Sequence, residues 1–153
     1  VPYLQWADKG WLTLTPGNVT DYAFIREDII ALGAQFDIRG ISYDPWNASY
    51  LASQLYEEGI QMNEFRQTTS KFNEPVRYME GVVLKQLLDI NGDEVLRWMF
   101  GNSQLYMDGN GNVKIDKNKS KEKVDGVVSL AMAFAEYLDN QDVEEPNFEI
   151  LWR

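Results

Sequence analysis

The 153-residue chain contains no cysteine and no histidine. Disulfides, thiol nucleophiles, Ser-His-Asp triads and Cys/His zinc sites are therefore excluded together. Any metal has to be held by oxygen, which favours magnesium or manganese. No apolar run is long enough to span a bilayer, and no secretory signal opens the chain. No glycine-rich phosphate loop of the P-loop type is present, so nothing supports ATP hydrolysis by this stretch. Internal repeats and low-complexity segments are also missing.

What remains fits one domain with a real core. Apolar residues make up 44% and aromatics 13%, enough to fold rather than stay disordered. The formal charge of -10 argues against indiscriminate binding to nucleic acid, but leaves room for a local basic patch. The opening VPYLQWADKGW has no initiator methionine and reads as a start inside a longer protein, intracellular and soluble.

Trp11 to Thr15 alternates and predicts a short strand. PGNVTD is a turn into a helix, with Thr20 or Asp21 as N-cap and Gly33 at its end. Asp37 to Tyr43 reads as a buried strand ending at Asp44, with Asn47 capping the next helix. Leu51 and Leu55 mark that helix's core face, and Gly59 stops it. Ile60 to Phe65 reads as another strand. Helix, strand, helix, strand over residues 21 to 65 predicts an α/β domain with a parallel pair. RQTTSKFNEP reads as a polar loop, followed by a helix with Val76, Met79, Val83, Leu87 and Ile90 in register. VLRWMFGNSQLYMD fits a short helix or a strand, and MDGNGNVKID predicts a hairpin turn. The last helix is expected from near Lys121, on a stripe of Val124, Val127, Val128, Ala131, Phe134 and Leu138. The domain is drawn as residues 1–139, with an acidic tail from 140 to 153.

Two acids stand out. Asp44 ends a strand, and sites in α/β sheets gather at such ends. It is either partly desolvated there or a plain turn-starting acid before Pro45. Asp125 opens the last helix, where the dipole favours a carboxylate. It is either a hard-cation ligand at the edge of the packed face or a routine dipole partner. Just before it, Lys117, Lys119, Lys121 and Lys123 alternate. On an extended segment they would point to one side and track phosphates; alternatively they guard a solvated loop or edge. Trp46 and Trp98 read as packing anchors, Asp108 and Asp116 as turn residues, and Glu57 and Glu58 as exposed. Arg66 and Gln67 either touch nucleic acid or simply form a loop.

In order along the chain, GWLTLTPGNVTDYAFI, ISYDPWNA, LYEEGI, EFRQ, VLRWMFGN and KNKSKEKVDGVVSLAMAF resemble the C-terminal nuclease domain of the large terminase subunit of tailed bacteriophages, nearest its HK97-like branch. The pieces span roughly residues 10 to 138. The resemblance implies an RNase H-like fold, a mixed sheet flanked by helices. It implies cutting of concatemeric double-stranded DNA by acids that bind two Mg2+ or Mn2+ ions. It matches Asp44 and Asp125 to two of those acids and gives the four lysines a role in holding DNA. Partners implied are DNA, the portal and the small terminase subunit, in the cytoplasm of a bacterial host, with no membrane.

The sequence also departs from the family pattern. The family's first catalytic Asp lies on a first strand upstream of anything matching Val1, so the chain is expected to lack that strand, its acid and the ATPase domain. Relatives often carry a His before VLRW, where this chain has DINGDE. Without the third acid, the chain is expected either to bind metal weakly or not to cut at all. Two other readings compete. One is a different RNase H-like nuclease, such as a resolvase. The other is a non-catalytic docking module of the packaging machinery, using the tail DNQDVEEPNFEILW.

Overall fold

The computed structural model describes residues 1–141. Polar caps set where several helices start. Helix α1 (Tyr3–Asp8) tucks the buried Trp6 against Trp98, ring centroids 5.3 Å apart. Helix α2 (Tyr22–Gly33) starts at Asp21, whose side chain accepts the Phe24 N–H at 3.1 Å. Strand β1 (Ile41–Tyr43), helix α3 (Pro45–Glu57) and strand β2 (Met62–Glu64) follow. They make the predicted parallel pair, with Ile41 opposite Met62 and the helix as crossover. Gly59 ends the segment after α3 with a φ of +87°, a value that suits glycine.

Helix α4 (Thr69–Leu84) and helix α5 (Glu94–Asn102) lead into strand β3 (Leu105–Met107) and strand β4 (Val113–Ile115), an antiparallel hairpin. Helix α6 (Asp125–Asn140) closes the described chain. The ambiguous VLRWMFGNSQLYMD is both things in turn, α5 and then β3. The core lies where α4, β4 and α6 meet, with Phe72, Val76, Met79, Val113, Ile115, Val127 and Ala131 buried together. Phe72, Val76 and Met79 repeat at the spacing that puts one face of α4 inward. The fold class is α/β as expected. Both kinds of strand pairing are present, divided between two two-stranded sheets.

Several local expectations fail. Trp11 to Thr15 forms no strand, because no described segment pairs with it. The Asp37 to Tyr43 strand shrinks to Ile41–Tyr43 and is half-buried. Asn47 does not cap α3. Asp44 does, and Pro45 takes the first helical turn, where its missing N–H costs nothing. Trp46, expected as an anchor, is 86% exposed. It precedes the buried Leu55 by nine positions, roughly half a turn round the helix.

RQTTSKFNEP is mostly helix, since α4 starts at Thr69 and runs through Pro75. An interior proline costs a helix roughly 3 kcal/mol. Burial of Phe72, Pro75, Val76 and Met79 against α6 and β4 offsets it. The apolar register then stops short. α4 ends at Leu84, Gln86 turns with a φ of +57°, and Leu87 is 70% exposed. α6 begins at Asp125 rather than near Lys121. The proposed tail falls almost wholly on residues 142–153, outside the described residues.

Candidate nucleic-acid and metal site

Asp44 is half-buried at the end of β1. Its Oδ1 accepts the Trp46 N–H at 3.1 Å, so the turn-starting role is real. The same carboxylate has a second oxygen, so capping does not exhaust it. β1 is held to α6 by Glu136. That carboxylate accepts from Ser42 Oγ at 2.9 Å and from Asn63 Nδ2 at 2.6 Å, bonding both strands to one helix. Gly40 lies so close to Glu136 that an added Cβ would collide with the carboxylate. Asp44 thus sits two residues beyond a point of β1 pinned to α6.

Asp125 stands at the other end of α6, eleven residues before Glu136, or about 16 Å of helix rise. Its side chain is 65% exposed, so it lies in solvent rather than at the packed edge expected. Val124 on one side and Val127 and Val128 on the other are buried, which fixes the helix start beneath it. Gly126 brings α5 close: its N–H points at Met99 Sδ 3.1 Å away.

The lysine segment is not extended, so its side chains do not form a period-two row. Asp116 winds it instead. The Asp116 Oδ1 accepts the N–H groups of Asn118 at 3.0 Å and Lys119 at 3.2 Å. Its carbonyl accepts from Ser120 N at 3.0 Å and Ser120 Oγ at 2.7 Å. Such side-chain turns compete with strand pairing. The coil changes which lysines meet Asp125. Lys117 Nζ lies 3.2 Å from its Oδ1. Lys117, Lys121 and Lys123 line a cavity of about 330 Å³ with it. Lys119 turns away into a neighbouring cavity with Lys114 and Tyr106. Lys117 belongs to both cavities.

The hairpin beside these cavities is fixed by Asp108, as its turn role predicted. Asp108 accepts the N–H groups of Asn110 and Asn112 at 2.9 Å each, and the Asn112 side-chain amide at 3.0 Å. The Asn112 amide holds its carboxyl below the usual carboxylate range. Partial desolvation opposes this, and the two backbone N–H groups add to it.

A divalent cation wants several oxygen ligands. Asp44 and Asp125 are oxygen donors of the kind such a cation takes. Among the described residues, however, no three acids stand together as a cation site. Sequence reasoning reached Asp44, Asp125 and the lysines but missed Glu136, Lys114 and Tyr106. Lys114 was visible as the first member of a Lys-x-x-Lys-x-Lys spacing. Glu136 carried no local signal, because its partners lie 73 and 94 positions away.

Comparison with known proteins bears on this arrangement. The family model described as "Terminase large subunit, endonuclease domain" matches residues 1–141. The chain is 28% identical over 134 residues to the terminase large subunit of Enterobacteria phage HK97, covering 86% of this chain and 27% of that protein. It is 27% identical over 133 residues to protein YmfN of Escherichia coli K12, covering 86% of this chain and 29% of that one. It spans less than a third of either relative. Among solved structures, the HK97 large terminase superposes with a TM-score of 0.81 at 28% identity, over 88% of this chain and 29% of that one. The large terminase nuclease of thermophilic phage G20c superposes with a TM-score of 0.61 at 18% identity, over 78% of this chain and 64% of that one, and supports the RNase H-like fold.

Proposed function

Because the chain belongs to the endonuclease-domain family of terminase large subunits, we propose that it is a metal-dependent endonuclease domain, cutting concatemeric double-stranded DNA by two-metal phosphodiester hydrolysis during phage genome packaging. The observation that carries this reading is the family match along residues 1–141, over a fold with Asp44 ending β1 and Asp125 heading α6 among lysines. Asp44 and Asp125 are the proposed ligands for Mg2+ or Mn2+. Divalent cations there would supply charge stabilisation at the scissile phosphate and an activated water. Further ligands would have to come from outside the described residues.

The chain's own work is electrostatic and positional. Lys117, Lys121 and Lys123 collect positive charge beside Asp125 and attract a phosphate backbone without reading bases. Lys119 extends that charge to the adjoining cavity. Lys117 also screens Asp125 until DNA or a cation displaces it. In the cell the domain would work with the portal and the small terminase subunit in the cytoplasm of the bacterial host. No helix among the described residues is long and apolar enough to cross a membrane.

The test is nicking of supercoiled plasmid with Mn2+. Wild-type chain is expected to nick slowly, and Asp44→Asn and Asp125→Asn to abolish nicking. Nicking that persists in both variants would contradict these assignments.

A further inference from the structure

The cavity between the hairpin and the start of α4 has a composition that duplex binding alone does not require. Tyr106 and Lys114 are cross-strand partners, so they share one face of the hairpin. Lys114 Nζ lies 5.9 Å from the Tyr106 ring centroid. Gln67 and Thr69, at the head of α4, line the same space with Lys117 and Lys119. Its floor is apolar, from Phe72 and Val128. Tyr106 keeps 39% of its surface exposed, an aromatic left partly open beside three ammonium groups.

Size decides what fits. The cavity holds about 520 Å³. That lies within the roughly 300–1,000 Å³ of small-ligand sites, and a double helix cannot enter it. Charge decides what is attracted. The chain is acidic overall, yet five of its 14 basic residues fall between Lys114 and Lys123. Aromatic faces with flanking cations are how proteins hold unpaired nucleotides, through stacking and phosphate contacts. Lys117 joins this cavity to the one holding Asp125, so one strand can run through both.

Resting on the nuclease reading above, we propose that this cavity holds one unpaired nucleotide of a DNA strand, its base against Tyr106 and its phosphates against Lys114, Lys117 and Lys119. Gln67 and Thr69 offer hydrogen-bonding groups to the base edge. The site would favour a frayed or overhanging strand end over intact duplex. Tyr106 and Lys114 act here as positioning residues for the strand passing Asp125.

Fluorescence anisotropy with the whole chain in EDTA separates the possibilities, using a blunt duplex and the same duplex with a single-stranded overhang. Wild type is expected to bind the overhang more tightly. Tyr106→Leu should lose about tenfold on the overhang and less than twofold on the blunt duplex. Tyr106→Phe should retain the preference. Lys114→Ala should weaken both and lower the salt dependence by about one counterion. Lys85→Ala, at the far end of α4, is the reference and should change nothing. Melting curves followed by circular dichroism verify that each variant is folded. If the Tyr106 and Lys114 variants bind like wild type while Lys117→Ala and Lys121→Ala bind weakly, the nucleotide cavity is wrong and the nuclease reading stands. If no DNA binds at all, both fall.

Discussion

The two halves of this molecule are built to different standards. In one half, α4, α5, α6 and the β3–β4 hairpin surround a continuous core, and Val76, Val127 and Ala131 are almost wholly removed from water. In the other, α2 buries no residue, neither do β1 and β2, and only Ala52 and Leu55 of α3 are buried. Polar links hold this second half instead. Glu136 bonds both strands to α6, and Arg26 of α2 pairs with Glu58 after α3. The two proposed metal ligands are split between the halves: Asp125 rides on the packed body and Asp44 on the lightly packed layer. Glu136 supplies side-chain hydrogen bonds that tie the Asp44 strand and its neighbour to the Asp125 helix.

The largest expected effect tests that contrast directly. Phe72→Ala should lower the unfolding free energy by about 3–5 kcal/mol, while Leu32→Ala on exposed α2 should stay within about 0.5 kcal/mol. Equilibrium denaturation in urea measures both. Equal costs would erase the distinction between the halves.

A smaller effect separates structure from chemistry at Asp44. Asp44→Ala removes the α3 cap and should cost about 1 kcal/mol, whereas asparagine caps about as well as aspartate. Asp44→Asn should therefore melt like wild type yet lose manganese affinity by calorimetry. Unchanged affinity would leave Asp44 a cap and nothing more.

The smallest effect concerns the hairpin. Asp108 has a depressed carboxyl pKa in the folded chain. The stabilisation it brings is therefore complete above the ordinary carboxylate range and is lost as pH falls through the lowered value. Amide protection at Asn110 and Asn112, corrected for the intrinsic pH dependence of exchange, should fall on acidification, and Asp108→Asn should flatten that pH dependence. An equally steep profile in the variant would place the titration elsewhere.

How much was legible follows from where each signal sits. The α2 cap, read as Thr20 or Asp21 and found at Asp21, is a local pattern, as are the parallel pair around α3 and the Asp-Gly hairpin, both found as read. Pro75 misled because its helix is stabilised by distant packing on α6 and β4, which no local rule sees. The lysines misled because Asp116, read only as a turn residue, coils the segment they occupy. Asp44 and Asp125 were singled out from their placement on predicted elements, and only the family resemblance raised them above turn-starting and dipole roles. Glu136, which ties the Asp44 strand to the Asp125 helix, was invisible because its partners lie far away in sequence.

The central claim is that Asp44 and Asp125 serve one cation-binding site. Crystals of this chain soaked in manganese and measured at the manganese absorption edge test it directly. The account predicts an anomalous peak at these carboxylates, lost in Asp125→Asn. Full soaking with no peak at either carboxylate, or manganese bound at a site that excludes both, would contradict it.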